Sequence, residues 1–259
     1  RQELSRQVDR QSRAWSEAKA RVAQYRQDCT RSQKELVQLQ TRQSGATERA
    51  SVLEALEKRH EGISPGVLEV LARARSAAQG PFRQVRGMVA DLLRVDVEAA
   101  PWIEVALGET AQHVVVPRGE DLLDYLDQNS QSLAGRVGFV WLDGGGDPPS
   151  DRGVDLQGRP GVVGRADRFV QTEPEYALLA RRLLGRTWIV QSLPHALALR
   201  DSIAGGLDYV TVAGDRLAAE GTVIVGPRTT STGLISRRSE LRALNAQLVS
   251  LARELDIPL

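Results

Sequence analysis

Both ends of the chain carry the same narrow apolar stripe, and the middle does not. From Leu4 onward one residue in every three or four falls on a single seam: Leu4, Val8, Gln11, Trp15, Ala18, Val22, Tyr25, Cys29, Ser32, Leu36, Leu39, Gln43, Ala46, Ala50 and Leu53. A 3-4 alternation held beyond roughly four heptads marks a coiled-coil helix. At the other end Leu241, Leu244, Leu248, Leu251 and Leu255 repeat at the same spacing. A stripe this narrow does not hold a lone helix together in water, so each segment requires a partner. Folding the two back on each other, antiparallel, is the economical solution. With a rise of about 1.5 Å per residue on both helices, Leu259 then lies opposite Leu36, and residues before about 35 have no partner in this chain. The overhang reads first as unequal arms of a piece of a longer protein, since the chain opens at Arg1 in mid-pattern; contact with another molecule is the second reading. Gln11, Ser32 and Gln43 tune register on the seam, and Gly45 weakens the helix locally by about 1 kcal/mol relative to Ala.

Gly62-Ile63-Ser64-Pro65 ends the first helix, with Ser64 and Pro65 suited to cap and open the next. An outgoing arm is therefore expected over 1–60 and a returning arm over 236–259. A hydrophobic share of 41% is enough for a core between them, while 4% aromatic and 26% charged residues shift the whole towards helix-rich composition. Between the arms short apolar runs alternate with amphipathic stretches, the α/β signature. Helices are expected at Val67–Ala74, Pro101–Leu107, Asp121–Gln128, Pro174–Leu184 and Leu193–Ile203. Strands are expected at Gly87–Asp96, His113–Val116, Arg136–Trp141, Thr187–Val190, Tyr209–Val212 and Thr222–Val225. Asp143 to Gly164 has no periodicity and reads as a long surface connection. It divides the middle into lobe I with its connecting loop, 61–165, and lobe II, 166–235. The expected class is α/β (α+β), two lobes flanked by antiparallel coiled-coil helices.

Few patterns carry chemistry. Cys29 is the only cysteine, which excludes an intrachain disulfide and a Cys-x-x-Cys hook and fits a reducing cytoplasm. No apolar run approaches the roughly 18 residues of a membrane span. A net charge of +1 leaves any nucleic-acid contact to local clustering. No Gly-x-x-x-x-Gly-Lys-Ser/Thr occurs, and Gly144-Gly145-Gly146-Asp147 runs into Pro148-Pro149 rather than a helix, so it reads as a flexible loop. His60, His113 and His195 have no ligand spacing, and no cofactor or metal is expected. Asp143 with Asp147, or Asp208 with Asp215, fits turns better than acid/base pairs, and Thr229-Thr230-Ser231-Thr232 has no base in reach. The chain is expected to catalyse nothing itself.

The basic residues are more informative. Lys58 and Arg59 close the outgoing arm, and Arg237, Arg238 and Arg242 open the returning one, so antiparallel arms bring them to one junction. Arg73, Arg75, Arg83 and Arg86 extend the cluster. Such a patch suits DNA phosphates, with salt-dependent, sequence-independent affinity. The alternative is a set of solvated charges paired with Glu54, Glu57, Glu61 and Glu240.

Gly87-Met88-Val89-Ala90-Asp91-Leu92-Leu93-Arg94-Val95-Asp96, Ile103-Glu104-Val105-Ala106-Leu107-Gly108 and His113-Val114-Val115-Val116 resemble the first half of the hinge of SMC (structural maintenance of chromosomes) proteins. Ala180-Arg181-Arg182-Leu183-Leu184-Gly185, Trp188-Ile189-Val190, Ala196-Leu197-Ala198-Leu199, Tyr209 to Asp215 and Gly233 to Leu241 are similar to its second half. The resemblance runs from about residue 63 to 241 in order. It implies a bacterial SMC hinge, in which an edge strand of one lobe pairs with the other lobe of a second copy, around Gly221, Val223, Val225, Gly226 and Gly233. The family has a compact glycine-rich run at this interface; here the glycines are dispersed. The resemblance further implies DNA binding near the junction, ATPase heads and condensin-type accessory subunits elsewhere on the full-length protein, and a cytoplasmic, nucleoid-associated location for chromosome condensation and segregation. A different class of reading is a small-molecule-binding or enzymatic α/β domain on a coiled-coil stalk, with a pocket lined by the 143–164 loop.

Overall fold

In the computed structural model, which describes residues 2–76, 80–117, 120–129, 133–143, 154–203, 206–226 and 233–255, the seam positions are the ones that become buried. Two compact units form: Arg1–Val52 with Leu244–Leu259, and Leu53–Ala243. Helix α1 (Gln2–Lys58) and helix α8 (Leu234–Leu255) each contribute to both. In the first unit Ala46 and Ala50 of α1 are buried and Ser32, Leu39 and Gln43 half-buried; on α8 Leu251 is buried and Leu244, Leu248 and Leu255 half-buried. Further towards the N-terminus the seam stays in water, Leu4 at 71% and Trp15 at 73% exposure. Burial on α1 is thus confined to positions from Ser32 onward.

The second unit takes in the end of α1, from Leu53 to Lys58. His60, just after α1, takes a left-handed φ of 53° with its Nδ1 2.9 Å from the Lys58 carbonyl oxygen, and Gly62 follows at φ 83°, reversing the chain into α2 (Pro65–Ser76). In the first turn of α2, a Cβ on Gly66 would sit 2.6 Å from the Gly135 carbonyl oxygen; only glycine allows this approach to the segment leading into β4.

Three sheets follow among the described residues. One is ordered β1 (Gly87–Met88), β3 (Val114–Val116), β4 (Phe139–Trp141), with β1 antiparallel and β4 parallel to β3. The second runs β10 (Val223–Ile224), β9 (Arg216–Leu217), β8 (Asp208–Thr211), β7 (Thr187–Val190), β5 (Val162–Arg165), with β7 and β8 parallel. The third is a two-strand ladder joining β2 (Arg94–Val95) to β6 (Val170–Gln171), one strand from each expected lobe. Helices α4 (Ala100–Leu107), α5 (Glu120–Asn129), α6 (Ala177–Leu184) and α7 (Leu193–Ser202) complete the unit.

The structure corrects several expectations. Gly87–Asp96 is not one strand: β1 and β2 flank a single helical turn, α3 (Val89–Leu92), because the Asp91 carboxylate accepts from the Met88 N–H at 2.7 Å and closes the turn. The strand expected over Arg136–Trp141 is confined to Phe139–Trp141, and β5, β6 and β9 were not anticipated. The 143–164 connection is not all surface. Leu156 is fully buried with Trp188, Val190 and Leu217, while residues 144–153 lie outside the described ones. The two lobes also share one core: Val89, Ile103 and Val115 from the first pack in the same cluster as Leu184, Ile189 and Val210 from the second, with Leu234 and Ile235 of α8. Each lobe also keeps a cluster of its own, Val67, Val70, Met88 and Val114 in the first and Trp188, Val190, Tyr209 and Leu217 in the second.

Tyr209 on β8 is 2% exposed against that second sheet, and burial pushes its phenol above the usual 10.0. A pKa raised in the folded state contributes stability that is whole below pH 10 and is lost as pH climbs through the folded value. Tyr209→Phe should therefore lose less stability than the parent between about pH 10 and 12 in thermal melts. Equal losses would show that the phenol is not buried in solution.

Candidate functional site

The end of α1, α2, β1 with α3, and the first turns of α8 enclose a cleft of about 400 Å³ in the second unit. Its charges are Glu57, Arg75, Arg86, Asp91, Arg237 and Arg238. The structure thus brings together basic residues that are far apart in sequence, but it sorts them into two kinds.

Arg237 is 3% exposed, with Nη2 donating to the Glu61 carbonyl oxygen at 2.9 Å. Burial pulls its pKa below the usual arginine range, with Glu57, Glu61 and Glu104 opposing. Arg238 bridges two elements, its Nη1 2.5 Å from Asp91 and its Nε 3.3 Å from Glu57. Arg242 donates to the Arg238 carbonyl oxygen at 3.3 Å and to Ser239 Oγ at 3.2 Å; desolvation, then the guanidiniums of Arg94 and Arg238, lower its pKa. Arg73 pairs with Glu69 one turn back, donates to the Tyr125 hydroxyl at 3.1 Å and lies 5.8 Å over the Phe82 ring. All four are engaged within the protein, and Arg237 and Arg238 tie α8 to the end of α1 and to α3. Arg237 in particular cannot reach phosphate on a duplex, which corrects its place in the expected DNA-binding set. Lys58, Arg59, Arg75, Arg83 and Arg86 remain exposed, with no ion pair to a described residue.

Sequence reasoning missed Glu104. From α4, its Oε2 accepts from the N–H groups of Ile235 and Ser236 at 2.7 and 3.1 Å, capping α8 from 131 residues away. Gly233 belongs to this contact and not to an exposed edge: a Cβ there would overlap Cδ and Cγ of Glu104. Asp91 was likewise missed; one carboxylate both closes α3 and holds Arg238.

The sheet edge is a second feature. Among the described residues β10 pairs only with β9, and Val223, Ile224 and Val225 are 47, 56 and 62% exposed. Gly221 and Gly226 bracket them at φ 98° and 133°, turning the chain sharply into and out of the strand. β4, half-buried, forms one edge of the three-stranded sheet.

Other sequence candidates take structural roles. His113 packs on Gly138, and His195 on Gly161 with Nδ1 2.8 Å from Ser192 Oγ. Asp215 Oδ2 accepts from the Thr211 hydroxyl, and Asp208 Oδ1 accepts from the Ala219 N–H. Asp147 and Thr229–Thr232 lie outside the described residues.

The family model described as "SMC proteins Flexible Hinge Domain" matches residues 82–200. The chain is 40% identical over 234 residues to the chromosome partition protein Smc of Rhodopirellula baltica, covering 89% of this chain and 19% of that protein. It is 31% identical to the corresponding protein of Myxococcus xanthus, covering 85% and 18%. The chain therefore spans about a fifth of the length of these relatives. Among solved structures, an asymmetric dimer of the Geobacillus stearothermophilus SMC hinge domain matches with a TM-score of 0.69 at 27% identity, over 84% of this chain and 86% of that one. The folded elbow of cohesin shares the fold, at TM-score 0.56 and 21% identity over 86% of this chain and 35% of that one.

Proposed function

The chain belongs to the SMC family and carries its hinge domain, and from that premise we propose that it joins two copies of itself through the open edge of β10. The observation that carries this reading is the exposed apolar run Val223-Ile224-Val225 on an edge strand. Unpaired edges with apolar side chains are costly in water and are ordinarily covered, twisted away or charged. The half-buried edge β4 of a second copy's three-stranded sheet would offer outward backbone groups once the Arg182 side chain, which donates to the Trp141 carbonyl oxygen, gives way, and a symmetric exchange of β10 for β4 would close a ring. The Geobacillus hinge, an asymmetric dimer, supports the pairing of two copies. Val223→Glu with Val225→Glu should shift the chain from dimer to monomer in light scattering, with at least about a tenfold loss of dimer affinity. A variant that stays dimeric at low micromolar concentration would place the contact elsewhere.

The second part of the proposal concerns DNA. Lys58, Arg59, Arg75, Arg83 and Arg86 present free guanidinium and ammonium groups near the roots of the arms, a distribution suited to backbone phosphates without base reading. Lys58→Glu, Arg59→Glu and Arg83→Glu together should weaken duplex binding and flatten its salt dependence by about one unit for each phosphate no longer neutralised. Unchanged affinity and slope in fluorescence anisotropy would remove the DNA role from this surface. In the longer protein the hinge would join coiled-coil arms leading to ATPase heads. Accessory subunits would bind outside the hinge, and the whole would work on the nucleoid in the cytoplasm.

A further inference from the structure

We propose that Arg182 is a latch on the open edge of β4: within one copy it occupies a backbone acceptor that β10 of a second copy would take, so dimerisation exchanges an internal contact for an external one. The latch rests on the edge pairing proposed above and is the group that opposes it.

The ladder between β3 and β4 fixes which backbone groups face outward. The Gly138 carbonyl oxygen accepts from the Val114 N–H at 2.8 Å, and the Leu142 N–H donates to the Val116 carbonyl oxygen at 2.7 Å. Parallel strands bond through alternate residues, so Gly138, Val140 and Leu142 face β3, and the N–H and C=O groups of Phe139 and Trp141 face away from it. Among the described residues no strand lies on that side. The Arg182 guanidinium does: its Nη2 donates to the Trp141 carbonyl oxygen, 41 residues back in the chain. Arg182 stands on α6, whose Leu179, Ala180 and Leu184 are buried in the core shared by both lobes. A helix of lobe II therefore shields the edge of lobe I within one copy, where a strand of lobe II from another copy would pair.

Strand edges are ordinarily protected by charge among other devices, and an arginine on an outward carbonyl is such a charge. β4 and β10 are different surfaces, so joining one to the other is head-to-tail and can run on into open chains as well as close into a ring. Breaking a charged hydrogen bond at each junction keeps a lone junction weak. The second junction of a closed pair forms inside one particle, at an effective concentration on the order of millimolar, and so tolerates the same cost. The latch thereby favours a closed pair of copies over longer assemblies.

Arg182→Ala and Arg182→Gln in the whole chain, compared with the parent by light scattering over a dilution series, test this. Arg182→Ala should tighten the dimer about threefold to tenfold at each junction, the scale of one hydrogen bond no longer broken on pairing, hence about tenfold to hundredfold for a symmetric pair. Arg182→Gln, a shorter and neutral donor, should fall between, and it keeps the comparison open if the alanine variant does not fold. In the Val223→Glu, Val225→Glu background, where β10 cannot pair, Arg182→Ala should lower the melting temperature by about 2–4 °C through loss of the internal contact. The two effects have opposite signs, whereas an arginine with only a structural role would weaken the dimer as it weakens the fold. Hydrogen exchange separates the latch from the pairing itself. The amides of Phe139 and Trp141 should be protected in the dimer and exchange faster in the Val223→Glu, Val225→Glu background. If they exchange equally fast in both, β4 is not the paired edge and the latch falls with the pairing. If they are protected while both Arg182 variants dimerise no more tightly than the parent, the pairing stands and the latch alone is overturned.

Discussion

Replacing Arg237 with Glu should destabilise the globular unit by about 3–5 kcal/mol, the scale of leaving buried charge uncompensated and a large fraction of a total stability of about 5–15 kcal/mol. The parent side chain is 3% exposed and donates to the Glu61 carbonyl oxygen, and Glu57, Glu61 and Glu104 all favour its charge. The variant removes the cation that those carboxylates share at that depth and adds a fourth negative group. Arg237→Met keeps much of the volume without the charge and should lose less, about 2 kcal/mol, chiefly from the unpaired acceptor. Lys58→Glu, fully in water, should stay within about 0.5 kcal/mol. Urea denaturation of the three variants measures all of this. If Arg237→Glu unfolds within about 1 kcal/mol of the parent, the junction is not packed around this guanidinium in solution. Any loss of DNA binding in that variant would report the destabilised fold and says nothing about phosphate contacts.

The contrast between Arg237 and Lys58 shows where sequence reasoning runs out. Periodicity located the arms because a seam repeats locally: Ala46, Ala50 and Leu251 are buried, and Leu39 half-buried, where the spacing placed them. Charge carries no such period. Arg237 and Arg238 are neighbours in sequence, but a helix turns them about 100° apart, and only the packing of α1 and α3 decides which is covered. The short strands failed for a related reason. β6 and β9 have two residues each, too few for alternation to register, and they exist because β8 offers an edge to β9 and because two lobes meet at β2 and β6. Gly87–Asp96 reads as continuous strand until one carboxylate, Asp91, turns back on Met88. The motif resemblance supplied the family without depending on any of these details. The Gly233 assignment, carried over from the family's glycine-rich interface, is the one that the geometry of this chain moved inward.

That inward position yields the other large effect. Glu104→Ala removes a charged acceptor from two N–H groups at the start of a 22-residue helix, which should cost about 2 kcal/mol from the missing cap and the missing charge–dipole attraction. Gly233→Ala alone should cost a similar amount by a different route, since its Cβ would overlap Cδ and Cγ of Glu104 and so must push the carboxylate off the helix end. The two changes therefore break the same interaction, and their costs should not add. Gly233 is not among the glycines with positive φ, so once Glu104 is shortened an alanine there meets no backbone strain. In that background Gly233→Ala should be neutral or even stabilise by up to about 1 kcal/mol, because it restricts the unfolded chain. The double-mutant cycle should then give a coupling of about 2 kcal/mol between two residues distant in sequence, where independent sites agree within about 0.5 kcal/mol. Additive costs would mean that Gly233 is constrained by something other than the carboxylate. A strong coupling would establish that α4, which packs against β8 of the second lobe, also fixes the root of the returning arm. The lobe interface and the first turn of α8 would then be set by one side chain.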